Sequence, residues 1–65
     1  MTYYDILDLK ENCTKHEITL AYIKLSRKYH PDNSKYGNID SFKLISEAYE
    51  ILMNDCKREI YDNSD

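Results

Sequence analysis

Proline and glycine each occur once in this chain of 65 residues, and both lie in the segment 31–38. These two residue types are the strongest local breakers of regular structure, so their scarcity elsewhere favours helices over strands and turns. Segment 31–38 is therefore predicted to be a loop between two helices. Because neither flank is long enough to fold alone, the chain is predicted to be one domain spanning residues 1–65.

The helix before this loop is marked at both of its ends. Thr14 followed by Glu17 is the pattern of a capping box, which satisfies free backbone amides at a helix start. Pro31 has no amide hydrogen and disfavours helical torsions at His30, so the helix is predicted over 15–29. Apolar residues recur at steps of three and four, which predicts one buried face: Ile18, Ala21, Tyr22, Leu25 and Tyr29.

A second long helix and two short ones complete the predicted architecture. Apolar periodicity predicts a helix over 39–53, with Asn38 or Asp40 as its N-cap, and shorter helices over 3–9 and 55–62. The residues expected to face the core are Tyr4, Ile6 and Leu7 in the first helix, Ile39, Phe42, Ile45, Ala48, Tyr49 and Leu52 in the third, and Ile60 and Tyr61 in the fourth. The predicted fold is all-α, an antiparallel hairpin of the second and third helices braced by the two short ones.

The composition of the chain argues against several classes of function. Its formal net charge is −3, whereas domains that bind nucleic acid in general are basic. No apolar run approaches the length of a membrane span, and the residues after Met1 do not have the order of a signal peptide. We therefore expect neither nucleic-acid nor membrane binding, and a location in the cytosol or nucleus. We also expect a monomer.

Metal binding and catalysis are not expected either. Cys13, His16, His30 and Cys56 are residue types that bind zinc. At 1.5 Å per residue, however, His16 and His30 lie roughly 20 Å apart, so one ion cannot bind both. His30 and Asp32 flank a proline and cannot face each other as a base and its orienting group, and no activated nucleophile is indicated nearby. The chain is predicted to be no enzyme and to need no metal or cofactor.

Positive charge is concentrated near the end of the second helix. Lys24, Arg27 and Lys28 lie in its last two turns, and no acidic residue occurs between Thr19 and Tyr29. Cations near a helix C-terminus interact favourably with the helix dipole, which is one explanation for this cluster. The other is a docking face for an acidic partner, since dipole compensation needs fewer charges.

Four blocks of sequence, spread over nearly the whole chain, form one recognisable pattern. They are YYDIL at 3–7, EITLAYIKLSRKYHPD at 17–32, FKLISEAYEIL at 42–52 and KREIYD at 57–62. In this order they resemble the J-domain, the helical module of the DnaJ family of co-chaperones. The second block ends in the family's His-Pro-Asp tripeptide, here His30, Pro31 and Asp32, which we term the HPD loop. The resemblance implies the J-domain fold, with the HPD loop between the two long helices.

The resemblance also implies a function and the residues that perform it. J-domains bind heat-shock protein 70 (DnaK-type) chaperones and stimulate their ATP hydrolysis. Carried over to this chain, the HPD loop is the contact loop, and Tyr22, Lys24 and Lys28 belong to the basic face beside it. Arg27, from the basic cluster, and Asn33, directly after the tripeptide, complete the predicted partner-binding set. The alternative is a J-like scaffold that recruits a partner or another domain without stimulating ATPase activity.

The chain departs from the family pattern at several positions. Basic residues are usual in the family where this chain has Thr19, Leu20, Ile23 and Asn33, and glycine is common where it has Asp8. Aspartate tolerates left-handed torsions better than most residues, so we expect it to fit there. Leu20 and Ile23, one helical turn apart, fall beside the predicted core face. Either they form an additional apolar contact with a partner or another region, or they pack beneath the first or fourth helix.

Overall fold

The computed structural model describes residues 2–35 and 37–63, and within these ranges all regular structure is helical. The helices are α1 (Tyr3–Ile6), α2 (Lys15–Tyr29), α3 (Ile39–Met53) and α4 (Asp55–Asp62). α2 and α3 form an antiparallel hairpin, and α1 and α4 pack against α3. The predicted all-α architecture is confirmed. None of the described helices combines the length and the apolar character needed to cross a membrane.

α2 begins and ends at the predicted residues, for the predicted reasons. The Thr14 hydroxyl accepts the amide of Glu17 at 3.2 Å, and the Glu17 carboxylate accepts the amide of Thr14 at 3.0 Å. At the other end His30 has ψ of 136°, outside helical torsions, immediately before Pro31. α3 and α4 also have the predicted bounds. Of the two candidate caps for α3, Asn38 is the one whose side chain accepts backbone amides of the first turn.

α1 is shorter than predicted, because it ends at Ile6 and not at residue 9. Asp8 has φ of 56°, in the left-handed region that terminates helices. The amides of Asp8 and Leu9 donate to the carbonyls of Asp5 and Tyr4 at 3.1 and 2.8 Å, which is the hydrogen-bond pattern of a Schellman motif. The predicted length of the first helix was wrong, whereas the expectation that Asp8 fits this position is confirmed.

The core lies between α2 and α3 and is closed by α1. Its buried side chains are Tyr4, Leu7, Cys13, Ile18, Ile45, Ala48 and Leu52. Tyr22 and Tyr49 stack across the hairpin with ring centroids 4.1 Å apart. Tyr61, predicted to anchor the fourth helix, packs against this core and lies 4.7 Å from Tyr3, centroid to centroid. Aromatic contacts therefore link α2 to α3 and α1 to α4.

Two residues predicted to face the core are exposed, Ile39 at 53% and Ile60 at 70%. Ile39 precedes Ile45 by six residues, which places it roughly 120° away around the helix at 3.6 residues per turn. It therefore lies on a different face from the buried stripe, in the first turn of α3. Ile60 lies roughly 200° around α4 from Arg58, the residue whose side chain occupies the inward face.

Hydrogen bonds from Arg58 fasten α4 to the rest of the domain. Its guanidinium donates to the carbonyls of Glu11 and Cys13 at 2.9 and 2.8 Å and to the Tyr4 hydroxyl at 3.2 Å. The Tyr4 hydroxyl donates in turn to the Asp62 carboxylate at 2.6 Å. Burial and this hydrogen bond raise the pKa of Tyr4, although the nearby Arg58 acts in the opposite direction. The sequence pattern did not identify Arg58 as an anchor.

Candidate functional site

The HPD loop is a tight turn at the end of α2. The amide of Asn33 donates to the carbonyl of His30 at 2.8 Å, which closes a four-residue turn with Pro31 and Asp32 at its centre. Pro31 fixes φ near the value that the second position of such a turn requires. At its base, the amide of Asn38 donates to the carbonyl at the end of α2 at 3.0 Å. The turn is therefore closed by hydrogen bonds within the chain.

His30 is held from two sides. Its Nδ1 accepts the amide of Asp32 at 3.1 Å, and its ring meets Phe42 edge-on, with centroids 5.3 Å apart. A nitrogen that accepts a hydrogen bond carries a lone pair, so in the neutral ring the proton is on Nε2. The Asp32 carboxylate lies 3.7 Å from Nδ1, too far for a hydrogen bond. Nδ1 therefore orders the loop, and Nε2 is a donor on a side chain that is about half exposed.

Asp32 carries the negative charge of the loop on an exposed side chain. Its side chain is 94% exposed, whereas its backbone is fixed by the turn and by the bond to His30. A carboxylate in this position accepts two parallel hydrogen bonds from a guanidinium, a strong and directional contact. The loop therefore presents an exposed acceptor on a turn that is held by hydrogen bonds.

Asn33 has a structural role in the same loop. Its side-chain oxygen accepts the amide of Lys35 at 2.9 Å, and its side-chain nitrogen donates to the carbonyl of Arg27 at 3.4 Å. Its own carbonyl accepts the amide of Gly37 at 2.9 Å. Asn33 thus ties the loop to the last turn of α2. A direct contact between Asn33 and a partner stays a prediction.

Gly37 is required because the loop closes tightly around it. A β-carbon at this position would lie 2.7 Å from the carbonyl oxygen of His30, and closer still to that of Asn33. Any side chain here would separate the HPD loop from the start of α3. The sequence marked Gly37 as a loop residue, but local pattern does not show that two earlier carbonyls surround it.

An open cleft of about 460 Å³ lies between the end of α2, the HPD loop and the start of α3. Its lining residues are Tyr22, Ser26, Arg27, His30, Asp32, Asn33 and Phe42. All but Ser26 and Phe42 belong to the partner-binding set predicted from the sequence. Phe42 was assigned to the core by its spacing, yet its ring contacts His30. The cleft therefore brings the two polar residues of the HPD loop together with Tyr22 and Arg27.

We term Lys24, Arg27 and Lys28 the basic end of α2. All three side chains are exposed, but they point in different directions. Arg27 borders the cleft, whereas Lys24 borders a separate groove beside Asp8. The Lys28 ammonium lies 5.3 Å from the centre of the neighbouring tyrosine ring. In the part of the chain that the structure describes, Lys24 and Arg27 form no ion pair. Both charges are therefore available to the carboxylates of a partner.

Leu20 and Ile23 are both at the surface, with 54% and 41% of their area exposed. Packing beneath the first or fourth helix therefore does not cover the pair, although Leu20 lines a groove with Leu7 and Leu9. Thr19, another position at which the family usually has a basic residue, donates its hydroxyl to the carbonyl of Lys15 at 3.0 Å. The middle of α2 thus has an exposed apolar pair where the family pattern has charge.

Similarity to known proteins extends over nearly the whole chain. Residues 2–62 match the family model of the DnaJ domain. A protein named Chaperone protein DnaJ from Campylobacter jejuni (strain RM1221) is 48% identical over 64 residues, or 95% of this chain. Its namesake from Staphylococcus aureus (strain JH1) is 52% identical over 61 residues, or 92% of this chain. The chain spans 17% and 16% of the lengths of these two relatives.

Proposed function

Because the chain belongs to the DnaJ domain family, we propose that it binds a heat-shock protein 70 (DnaK-type) chaperone and stimulates ATP hydrolysis by that partner. The observation that supports the proposal most is the HPD loop, an exposed carboxylate on a preformed turn at the basic end of a helix. The chain contributes binding free energy and performs no chemical step of its own. We place this activity in the cytosol or nucleus.

Each part of the cleft has a physical role in this binding. Lys24, Arg27 and Lys28 attract an acidic partner surface and raise the rate of encounter, so binding weakens as salt is added. Asp32 accepts hydrogen bonds from an arginine of the partner, and His30 donates from Nε2. Because the turn is already formed, little conformational entropy is lost when it docks.

Stimulation of hydrolysis requires more than binding. A ligand shifts an equilibrium between two states of its partner only if it binds one of them more tightly. We propose that the HPD loop binds the hydrolysis-competent state of the chaperone more tightly than the resting ATP-bound state. A tenfold shift needs about 1.4 kcal/mol of differential binding. One hydrogen bond to a charged group contributes about 1.5–3 kcal/mol, so the Asp32 contact alone is large enough.

Single-turnover ATP hydrolysis by the DnaK-type chaperone of the cell that makes this chain tests the proposal. The wild-type chain is expected to raise the rate about tenfold, and His30→Gln and Asp32→Asn to lose most of that increase. His16→Gln and Asp40→Asn make the same chemical changes at exposed positions outside the cleft and are expected to act like the wild type. Equal rates with and without the wild-type chain contradict the proposal.

A scaffold that recruits the chaperone without stimulating it is the second candidate. The absence of positive charge at Thr19, Leu20 and Ile23 favours it, as does the use of Asn33 in hydrogen bonds of the loop itself. The scaffold predicts that the chain binds the chaperone, that hydrolysis is unchanged, and that His30→Gln binds as well as the wild type. The same assay, combined with a binding measurement, separates the two candidates.

A further inference from the structure

The function proposed above leaves Leu20 and Ile23, hereafter the apolar pair, without a role. Three residues apart on α2, they are neighbours on the helix surface. The other large apolar residues exposed in the described ranges are Ile39, Leu44 and Ile60, and no two of these are three or four residues apart on one helix. Single exposed apolar side chains are normal, whereas an adjoining pair on an otherwise charged helix face indicates a contact.

Ile23 adjoins the cleft through Arg27, whereas Leu20 lines the neighbouring groove that Lys24 and Asp8 also border. Arg27 follows Ile23 by four residues and is therefore its neighbour on the helix, and Arg27 lines the cleft with His30 and Asp32. At 1.5 Å per residue, Leu20 lies about 15 Å along the helix axis from His30. An interface of ordinary size covers about 800 Å² on each partner, which is wide enough to include both. A partner that covers the cleft and extends along α2 beyond Arg27 therefore meets the apolar pair.

The charges around the apolar pair indicate what the partner surface contains. Lys24 and Arg27 each lie four residues after a member of the pair, and Lys28 lies one turn beyond Lys24. Glu17 is the one acidic residue of α2, and its carboxylate accepts the amide of Thr14 in the helix cap. Asp8, outside α2, is the other acidic residue of the groove that Leu20 and Lys24 line. A complementary surface thus has an apolar centre and an acidic border.

We propose that the DnaK-type partner of this chain has an apolar patch opposite Leu20 and Ile23, bordered by carboxylates opposite the basic end of α2. The inference rests on the proposed function and deepens it, because it names the partner chemistry that this chain selects. Burial of the pair adds affinity that salt does not screen. In about 1 M salt the Debye length falls to about 3 Å, so charge attraction is largely lost while apolar contact is retained.

A double variant, Leu20→Gln with Ile23→Gln, tests the inference. Glutamine is a good helix former, so the variant removes apolar surface without weakening α2. In the single-turnover assay with the chaperone of the cell that makes this chain, the half-saturating concentration is expected to rise about tenfold, or about 1.4 kcal/mol, with an unchanged maximal rate. In about 1 M salt, binding is expected to persist in part for the wild type and to be lost in the variant.

The matched control is Leu44→Gln with Ile60→Gln, which removes two exposed apolar side chains that do not line the cleft. Its half-saturating concentration is expected to stay within about twofold of the wild type, as for ordinary surface changes. Equal shifts in the two double variants overturn the inference, because the loss would then not depend on position.

Three further results distinguish failure of this inference from failure of the function on which it rests. If the α2 double variant behaves as the wild type while His30→Gln loses stimulation, the inference is overturned and the proposed function stands. If Leu20→Lys with Ile23→Lys binds more tightly than the wild type, the partner surface there is acidic and the inference is overturned. Failure of the wild-type chain both to bind and to stimulate overturns both.

Discussion

Gly37 lies closest to two backbone carbonyls of the turn that follows α2, those of His30 and Asn33. In Gly37→Ala the added methyl group occupies space that these carbonyls already fill, and overpacking of this kind costs about 1–3 kcal/mol. Because both carbonyls belong to the turn that carries Asp32, we expect a lower free energy of unfolding together with weaker stimulation of the chaperone. Urea unfolding and the half-saturating concentration in the hydrolysis assay measure the two effects.

Ser34→Ala is the control for this change, because Ser34 is exposed in the same loop. It is expected to alter the free energy of unfolding by less than about 0.5 kcal/mol. If Gly37→Ala unfolds and stimulates as Ser34→Ala does, the loop does not close around residue 37 as described. If stability falls but stimulation is kept, the loop adapts without losing the position of Asp32.

The sequence predicted which residues form the loop, but it did not predict the hydrogen bonds that hold them in place. Pro31 alone predicts where α2 ends, because its effect is local. The hydrogen bonds of Asn33 join residues that no helical period relates, so they appear only in the folded loop. Phe42 precedes Ile45 by three residues and fits the core pattern, yet its ring contacts His30.

The attachment of α4 to the rest of the domain depends most on one side chain, that of Arg58. Without its guanidinium the carbonyls of Glu11 and Cys13 lose this donor, and Tyr4 loses one of its partners. Hydrogen bonds to charged groups contribute about 1.5–3 kcal/mol, so we expect Arg58→Met to lower the free energy of unfolding by about 2 kcal/mol. Amide hydrogen exchange is expected to accelerate in α4 more than in α2.

Lys57→Met is the control on the same helix. Lys57 makes an exposed ion pair with Glu50 at 3.1 Å, and such pairs contribute about 0–1 kcal/mol. Its loss is expected to leave hydrogen exchange in α4 nearly unchanged. Equal destabilisation by the two variants, or unchanged exchange in Arg58→Met, contradicts the role given to Arg58.

Helices whose ends are marked in the local sequence were predicted to the residue. α2 is the clearest case, with Thr14 and Glu17 at its start and Pro31 after its end. The stop of α1 depends on a left-handed torsion at Asp8, which aspartate permits but does not dictate. Arg58 bonds to residues 47 and 45 positions earlier in the chain, far outside any helical period. The prediction from periodicity that Ile60 anchors α4 was therefore wrong.

On the scale of the whole molecule, the seam between α1 and α4 joins the beginning of the domain to its end. The Tyr61 hydroxyl accepts the amide of Tyr3 at 2.9 Å, and the Tyr4 hydroxyl donates to Asp62 at 2.6 Å. Burial, and then the charge of Glu47, raises the pKa of Tyr3 above its usual 10.0. Burial, and then the hydrogen bond to Asp62, raises the pKa of Tyr4. The folded chain therefore favours the protonated form of both phenols over the ionised form.

A tyrosine whose pKa is raised by folding holds its proton more tightly in the folded than in the unfolded chain. Its contribution to stability is complete below a pH of about 10 and is lost as the pH rises through the folded-state pKa. We expect the free energy of unfolding to fall with pH above about 10, and to fall less steeply in Tyr3→Phe with Tyr4→Phe. Urea unfolding at a series of pH values measures both slopes. Since the other titrating groups are common to both proteins, equal slopes would mean that the seam does not govern alkaline unfolding.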